Sequence, residues 1–393
     1  MKKHILLIGI LALGLTILAQ EIQHETIAVN IEVPVRVFKR SQFVDNLTID
    51  DFEVYEDGVP QKIEAVYLIR KTNIEREETQ MKKEEAKKVF APETSRNFVL
   101  LFEIYEYFPK IENAIDYFFN NVFLPGDTLK VITPIKAYEF NTESIEMFTR
   151  DEIAKNLTKH LRRDAKLCSA EYRGLLIELE DLRTEEGLIP EVKKMMYSDV
   201  LTRLRNLRYI DEKSLLDFAD FLKKEEGQKH VFLFHQKLVV PLLAGKWEDY
   251  GIDSLKDFEA VIAFDVEKIN QAFSDSSISI HFIFLTNTSR LGVVNTDRIS
   301  VTSRGRISDL VLQDLSGGIF SAFKDMANAT GGTVESSSNA AASFKTAVVA
   351  SENYYLLYYN PESYTADGKF KKITVKVKGK KYRVTHRAGY LAD

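Results

Sequence analysis

The feature that most constrains the fold is a set of short, largely apolar runs in the middle of the chain. They cover residues 98–102, 129–132, 231–234 and 278–285. Runs of this length are typical of strands buried on both faces of a sheet. Apolar residues at helical spacing occur between or after them, at residues 111–122, 215–222, 258–273 and 320–329. This alternation predicts an α/β, Rossmann-like domain, with a mostly parallel sheet and helices on both faces.

The two ends of the chain carry a strand pattern instead. From Ile27 to Val37 every second residue is apolar, which predicts a strand with one buried face. Further strand patterns follow it, and similar ones return near the carboxyl terminus. Neither group has enough strands to be stable alone. We therefore predict that residues 22–70 and 351–393 pack together as one small β-sandwich-like domain, into which residues 97–350 are inserted.

The segments that connect these elements are polar or irregular. Residues 71–96 are dense in glutamate, lysine and arginine, which predicts a charged, solvated linker. Within the central domain, residues 166–190, 237–256 and 286–312 are interpreted as insertions. The third of these insertions is polar, and we expect it to be loop-like.

The amino terminus has the pattern of a secretory signal peptide. Lys2 and Lys3 form a positive start, residues 5–18 are an uncharged apolar run, and polar residues begin at Gln20. We expect residues 1–19 to be removed and the protein to be secreted or periplasmic. The alternative is an uncleaved anchor, which is the one membrane contact that the sequence predicts. An intrachain disulfide is excluded, because the chain has a single cysteine, Cys168.

Four segments carry a more specific pattern. They are NLTIDDFEVYEDGVPQKI at 46–63, FLPGDTLKVIT at 123–133, ATGGTV at 329–334, and YYLLYYNPESYTADGKFKKITVKVKGKKYRVTHRAGYLA at 354–392. These segments resemble the bacterial VWFA-related domain proteins of the acidobacterial type. The resemblance implies a von Willebrand factor A-like domain, and it covers nearly all of the mature chain, although the middle is divergent.

The resemblance also implies where a metal site would lie. A standard von Willebrand A domain holds Mg²⁺ at the carboxyl edge of its sheet, through Asp-x-Ser-x-Ser, a threonine and a later aspartate. Here the first motif falls on Glu103, Tyr105 and Tyr107, and the later aspartate falls near Gln236. A hard cation needs small oxygen ligands in near-octahedral geometry, which two tyrosines and an uncharged amide do not supply. We predict no metal and no cofactor, and we keep these four residues as candidate binding positions; residual cation binding by Glu103 with Glu106 is the alternative.

No pattern in the chain predicts a catalytic centre. The histidines lack zinc-ligand spacing, and no Gly-x-Ser-x-Gly turn is present. His235 and His281 fall on predicted strands that could be adjacent, and ordinary strand histidines are the simpler interpretation. Tyr105, Tyr107 and Phe108 either form a protein-binding surface or fill the space of the absent metal.

The charge balance restricts the partners. Lysine and arginine number 53 against 58 aspartates and glutamates, so there is no basic excess for binding nucleic acid. We predict an exported, non-catalytic, metal-independent module for protein–protein interaction or adhesion, which binds a protein partner through the loop end of the α/β domain. The alternatives are a structural or assembly component of the cell envelope, attached through the β domain, and a hydrolase of unknown substrate.

Overall fold

The computed structural model contains a mostly parallel sheet with helices on both faces and three antiparallel sheets. It describes residues 29–40, 42–80, 90, 92–140, 147–185, 187–207, 210–237, 239–242, 264–286, 299–303, 306–314, 316–361, 363–379 and 381–393. The predicted signal peptide, residues 1–19, lies outside the described residues. Within them, none of the helices combines the length and the apolar character needed to span a membrane.

Six strands form the central sheet. In spatial order they are β15 (Val334–Ser337), β12 (Ile278–Leu285), β10 (Gln228–Gln236), β7 (Arg96–Glu103), β8 (Thr128–Ile132) and β9 (Ala137–Phe140). Every neighbouring pair is parallel except β8 with β9. β10 and β12 are buried along their whole length, which explains their nearly continuous apolar sequences. The predicted mixed α/β class and mostly parallel sheet are confirmed.

Helices cover both faces of this sheet. One face packs against α1 (Pro109–Tyr117), the π-helical turn Phe118–Val122, α2 (Arg150–Thr184) and α7 (Ala340–Glu352). The other face packs against α4 (Glu212–Lys223), α5 (Val266–Asp275) and α6 (Gly317–Ala329). Successive strand residues serve the two faces in turn, since Phe98 and Leu100 belong to the first core and Val99 to the second. The remaining helix, α3 (Pro190–Asn206), packs against the second half of α2.

The two ends of the chain form two antiparallel sheets. One has the order β18 (Arg383–His386), β1 (Ile31–Lys39), β16 (Asn353–Tyr359), β5 (Ile63–Arg70) and β6 (Asn73–Thr79), with β2 (Gln42–Phe43) beside β1. The other has the order β19 (Gly389–Leu391), β17 (Phe370–Val377), β3 (Phe52–Glu56) and β4 (Val59–Gln61). Both sheets contribute to one apolar core, which includes Val33, Phe52 and Ile373. Because β16 lies between β1 and β5, strands from the two chain ends are interleaved.

Two predictions about connecting segments are wrong. Residues 73–79, part of the predicted charged linker 71–96, form β6, which pairs antiparallel with β5. Charged side chains suit an edge strand because they discourage pairing with another chain. Within residues 286–312, predicted to be loop-like, β13 (Ile299–Ser303) and the first part of β14 (Arg306–Asp314) pair, and β14 also pairs with β11 (Val239–Leu242). These strands are defined by backbone hydrogen bonds. A polar segment can form such bonds without the apolar pattern by which a strand is predicted from sequence.

Two buried arginines connect the antiparallel sheets to the central domain. Arg36, on β1, donates to the main-chain oxygens of Ala350 and, at 3.1 Å, of Gly331. Ala350 lies in the last turn of α7, where main-chain oxygens lack a partner within the helix. Arg387 donates to the hydroxyl of Ser277, in the turn between α5 and β12, at 2.8 Å, and to the main-chain oxygen of Glu32 on β1 at 2.6 Å. The contact between the two parts of the chain is therefore polar and hydrogen-bonded as well as apolar.

Candidate functional site

The predicted binding residues lie at the carboxyl edge of the central sheet. Glu103 and Gln236 are the last residues of the neighbouring strands β7 and β10. Tyr105 and Tyr107 lie in the loop that leads from β7 into α1, which we call the β7 loop (residues 104–108). In parallel α/β sheets this edge is the usual place for a ligand. The structure thus brings the four predicted residues to one region.

Gln236 holds the β7 loop in place. Its side chain is fully buried, and its Oε1 accepts the main-chain N–H of Tyr105 at 3.1 Å and of Glu106 at 3.0 Å. An amide oxygen can accept two hydrogen bonds, so this oxygen is saturated by the loop. Gln236 therefore acts as a clamp on the loop in this structure, at the position where the resemblance implies a metal ligand.

Tyr105 fills the space at the end of β7. Its side chain is 3% exposed, and its ring lies 4.3 Å from the ring of Tyr172, centroid to centroid. Its hydroxyl donates to the main-chain oxygen of Lys237 at 2.6 Å. The ring is an anchor between the sheet and α2, because it is packed on one side and hydrogen-bonded at its tip. Of the two interpretations of this residue, the space-filling one describes the structure.

A helical hairpin covers this edge of the sheet. We define it as residues 166–206, the second half of α2 together with α3. Its inner side forms a separate apolar core with Tyr105, made by Tyr172, Leu175, Leu176, Leu179, Leu182, Tyr197, Val200, Leu201 and Leu204. Residues 166–190 are interpreted above as an insertion, and their packing against the sheet edge was not predicted. The apolar residues from Tyr172 to Leu182 have helical spacing, which predicts an amphipathic helix. The spacing does not predict which part of the protein its apolar face packs against.

The remaining polar groups of the β7 loop are engaged by α2. The carboxylate of Glu106 is buried and lies 3.5 Å from the guanidinium of Arg173. The ring of Tyr107 is half-buried, and the guanidinium of Arg162 stacks over it at 4.8 Å from the centroid. Burial raises the pKa of the Tyr107 hydroxyl. Tyr105 and Tyr107 thus contact different parts of α2, and both rings are packed at positions where the resemblance implies serine ligands.

The described residues offer little for a cation. Among them, no group of three or more His, Cys, Asp or Glu side chains is arranged to hold a metal ion. Glu103 is half-buried and borders a small cavity that Cys168 and Leu204 also line. Since Glu106 is paired with Arg173, the two carboxylates that could form a residual cation site are not both available in this arrangement.

The strands that carry His235 and His281 are adjacent, but these two side chains do not meet, and a different pair of histidines is in contact. His235 packs against Phe323 in the core of α4, α5 and α6, whereas His281 stacks on Phe232 in the opposite core. His281 instead contacts His230, with 3.3 Å between His230 Nδ1 and His281 Nε2. Both rings are fully buried, and burial lowers the pKa of each well below its usual value. The pairing register of β10 and β12 would have predicted this contact, but that register cannot be deduced from a single sequence.

A buried ion pair lies at the opposite, amino edge of the sheet. Arg96, the first residue of β7, donates to Asp127 with Nη2–Oδ2 at 2.6 Å and Nε–Oδ1 at 3.0 Å. Both side chains have no exposed surface. The same guanidinium donates to the main-chain oxygen of Val122 at 2.9 Å, which closes the turn before β8. No sequence pattern predicted this pair.

The hairpin exposes several large apolar side chains. Among the described residues these are Leu167, Ile177, Ile189, Met195 and Met196, and we call the solvent-facing part of the hairpin its outer side. Leu167 is 59% exposed and Ile177 is 61% exposed, so most of each side chain is in water. The carboxyl end of the sheet is thus covered by a helical layer whose own outer surface is partly hydrophobic.

Comparison with known proteins gives weak likenesses. No protein-family model matches the chain, and none of the curated proteins matches it. The crystal structure of an aerotolerance-related membrane protein from Bacteroides fragilis NCTC 9343 is similar at 9% identity and a TM-score of 0.29, over 65% of this chain and 98% of that chain. The human COPII-coat protein Sec24c is similar at 9% identity and a TM-score of 0.29, over 76% of this chain and 44% of that chain. These TM-scores are too low to establish a shared fold.

Proposed function

We propose that the chain is an exported, non-catalytic protein-binding module with a von Willebrand factor A-like domain, and that it binds through the outer side of the hairpin. The observation that carries this proposal is the set of exposed apolar side chains there, including Leu167, Ile177 and Met195. Monomeric proteins rarely keep large apolar patches in water, and such patches commonly mark interaction sites. Methionine adds a flexible, polarizable surface that adapts to a partner.

Binding without a metal is part of the proposal. The amide oxygen of Gln236 is taken by the β7 loop, and the carboxylate of Glu106 lies beside Arg173. Tyr105, at a position where the resemblance implies a serine ligand, is buried and packed on Tyr172. A partner therefore engages the covering hairpin, and not a cation at the sheet edge.

The absence of catalysis is also a proposal, supported by access. A general base or a nucleophile must reach its substrate within hydrogen-bond distance. The closest pair of histidines, His230 and His281, is fully buried in the core. Cys168, within the hairpin, is half-buried and borders a small cavity lined mostly by apolar and aromatic side chains.

The test compares two surface variants of the full chain by in-cell cross-linking and quantitative mass spectrometry. Leu167→Asp with Ile177→Asp places charges on the outer side of the hairpin, and both residues are exposed enough for the fold to survive. Val59→Asp, on the exposed edge strand β4, is the matched control because Val59 is 54% exposed. We expect the hairpin variant to lose its cross-linked protein partners and the control to keep them. If the hairpin variant keeps its cross-linked partners and Val59→Asp loses them, the binding surface lies on the β sheets and not on the hairpin.

A further inference from the structure

One face of α2 carries an uninterrupted apolar stripe. Leu167, Ala170, Gly174 and Ile177 follow each other at intervals of three, four and three residues, which places them on one side of the helix. All four are exposed, and they lie opposite the side of the helix that carries Tyr172 and packs on Tyr105. The space above Gly174 is open, since a Cβ built there has no neighbour within 4 Å.

The residues that border the stripe are charged in an ordered way. Lys166 and Arg173 flank one side of it, and Glu171 and Glu178 flank the other. With the stripe as positions a and d of a heptad repeat, the two basic residues take position g and the two acidic residues take position e. In a parallel pair of such helices, each g residue faces the e residue five positions later on the other helix. Lys166 then faces Glu171, and Arg173 faces Glu178. In an antiparallel pair, like charges would face each other.

We propose that the outer side of the hairpin binds a second copy of this chain, through a parallel, twofold pairing of the two α2 helices. This inference rests on the proposed function, because it names the partner of that surface. A twofold axis along the helices brings each stripe residue against its own counterpart, so the interface is self-complementary. Ala170 and Gly174 let the helices approach closely, and Leu167 and Ile177 close the contact at either end.

The length of the stripe sets the strength of this contact. Arg163 lies one heptad before Ala170, and Asp181 lies one heptad after Gly174, so the apolar seam ends at both. Three helical turns bury less area than a standard stable interface, so we expect a dissociation constant on the order of 100 µM. Arg173 and Glu178 already contact Glu106 and Arg203 within the chain. The pair of Glu178 with Arg203 is exposed and contributes little, so its rearrangement does not prevent pairing, and Arg173, whose side chain is 59% exposed, keeps its contact with the buried Glu106.

The first test is sedimentation velocity of the full chain from about 5 to 500 µM, a range that brackets the expected constant. Ile177→Asp is expected to weaken dimerisation at least ~10-fold, because it buries an unpaired charge against its counterpart. Phe221→Asp, on α4, is the control because Phe221 is also exposed, at 47%, but does not belong to the hairpin or its core, and it should leave the constant unchanged.

Charge reversal tests the pairing pattern. Lys166→Glu with Arg173→Glu makes both flanks acidic and is expected to weaken the dimer ~10-fold or more at low salt. Adding Glu171→Lys and Glu178→Lys to that variant restores opposite charges and is expected to recover the dimer. If the fourfold variant stays monomeric while its helices and melting temperature are unchanged, the proposed register is wrong.

Cysteine cross-linking tests the orientation. In a Cys168→Ser background, Gly174→Cys should form an intermolecular disulfide on mild oxidation, because a parallel seam brings position 174 of both copies together. The open space above Gly174 means that the introduced side chain does not disturb the monomer. Failure to cross-link under conditions that give a dimer by sedimentation would overturn the parallel arrangement.

The outcomes separate this inference from the proposed function. A chain that is monomeric at every concentration, but whose hairpin variant still loses other cross-linked partners, overturns self-association alone. A chain that is monomeric and whose hairpin variant loses no partner overturns both. A dimer that Ile177→Asp does not weaken shows that the copies meet elsewhere, and the assignment of α2 as the seam is then wrong.

Discussion

Replacing Tyr105 by alanine should detach the hairpin from the sheet more than any other single change in the β7 loop. The ring is 3% exposed and is stacked 4.3 Å from Tyr172, and its hydroxyl donates to Lys237 at 2.6 Å. Truncation of a buried aromatic side chain typically costs about 3–5 kcal/mol. The hydrogen bond contributes about 1 kcal/mol more. We therefore expect a loss of about 4–6 kcal/mol for Tyr105→Ala, and about 1 kcal/mol for Tyr105→Phe, which keeps the ring.

Native-state hydrogen exchange is the suitable assay, because it reports the opening of one region and does not require two-state unfolding of the whole chain. The opening free energy of amides between Tyr172 and Leu204 should fall in Tyr105→Ala, while amides in β10 and β12 stay protected. Tyr107→Ala is the matched control, since its ring is only half-buried and it should cost about 1 kcal/mol. If Tyr105→Ala lowers hairpin protection by no more than Tyr107→Ala does, Tyr105 is not the anchor and the hairpin is held by its own core.

Asp127→Ala is expected to lower the free energy of unfolding in urea by about 3–5 kcal/mol, because the Arg96 guanidinium stays buried without its carboxylate. Arg96→Met combined with Asp127→Leu should recover most of the loss. A double variant as unstable as the single one would show that the charges themselves are needed. Burial depresses the folded-state pKa of His230 and His281, so below about pH 6.5 the unfolded chain binds more protons and stability falls as the pH falls. His230→Phe should therefore reduce the stability lost between about pH 7.5 and pH 5 by roughly 2 kcal/mol in the same assay, and an unchanged loss would contradict the assignment. Excess Mg²⁺ is expected to leave the melting temperature as it is in EDTA, and a rise of the melting temperature that Glu103→Ala abolishes would reinstate a metal site.

The central sheet could be predicted because its strands are buried on both faces. Residues 98–102 and 231–234 are apolar without alternation, and only a strand in the middle of a covered sheet uses such a run. The strand at residues 73–79 could not be predicted in the same way. It lies at a sheet edge and is almost entirely polar, and its conformation depends on hydrogen bonds to β5. Pairing of this kind is a tertiary property that one-dimensional patterns do not carry.

The candidate site could also be predicted only in part. The places of Glu103, Tyr105 and Gln236 followed from the strand ends, because parallel strands bring their carboxyl ends to one edge. What these side chains do there depends on residues distant in sequence. Tyr105 is an anchor only because Tyr172 reaches it, and the Gln236 amide is saturated only because the β7 loop turns back over it. The role of a side chain could not be predicted where it depends on a residue distant in the sequence, whatever the chemical type of the side chain.

The interleaving of the chain ends has a consequence for the order in which this protein can fold. β16 (Asn353–Tyr359) is the strand that joins β1 (Ile31–Lys39) to β5, and it emerges from the ribosome roughly 300 residues after β1. At ordinary elongation rates of about 5–20 residues per second, β1 waits for about 15 to 60 seconds before its partner exists. During that interval Val33, Val35 and Val37, which are fully buried in the finished protein, remain on an unpaired strand. The β sheets therefore close last, and a nascent or shortened chain is exposed to aggregation at its first strand until its final residues arrive.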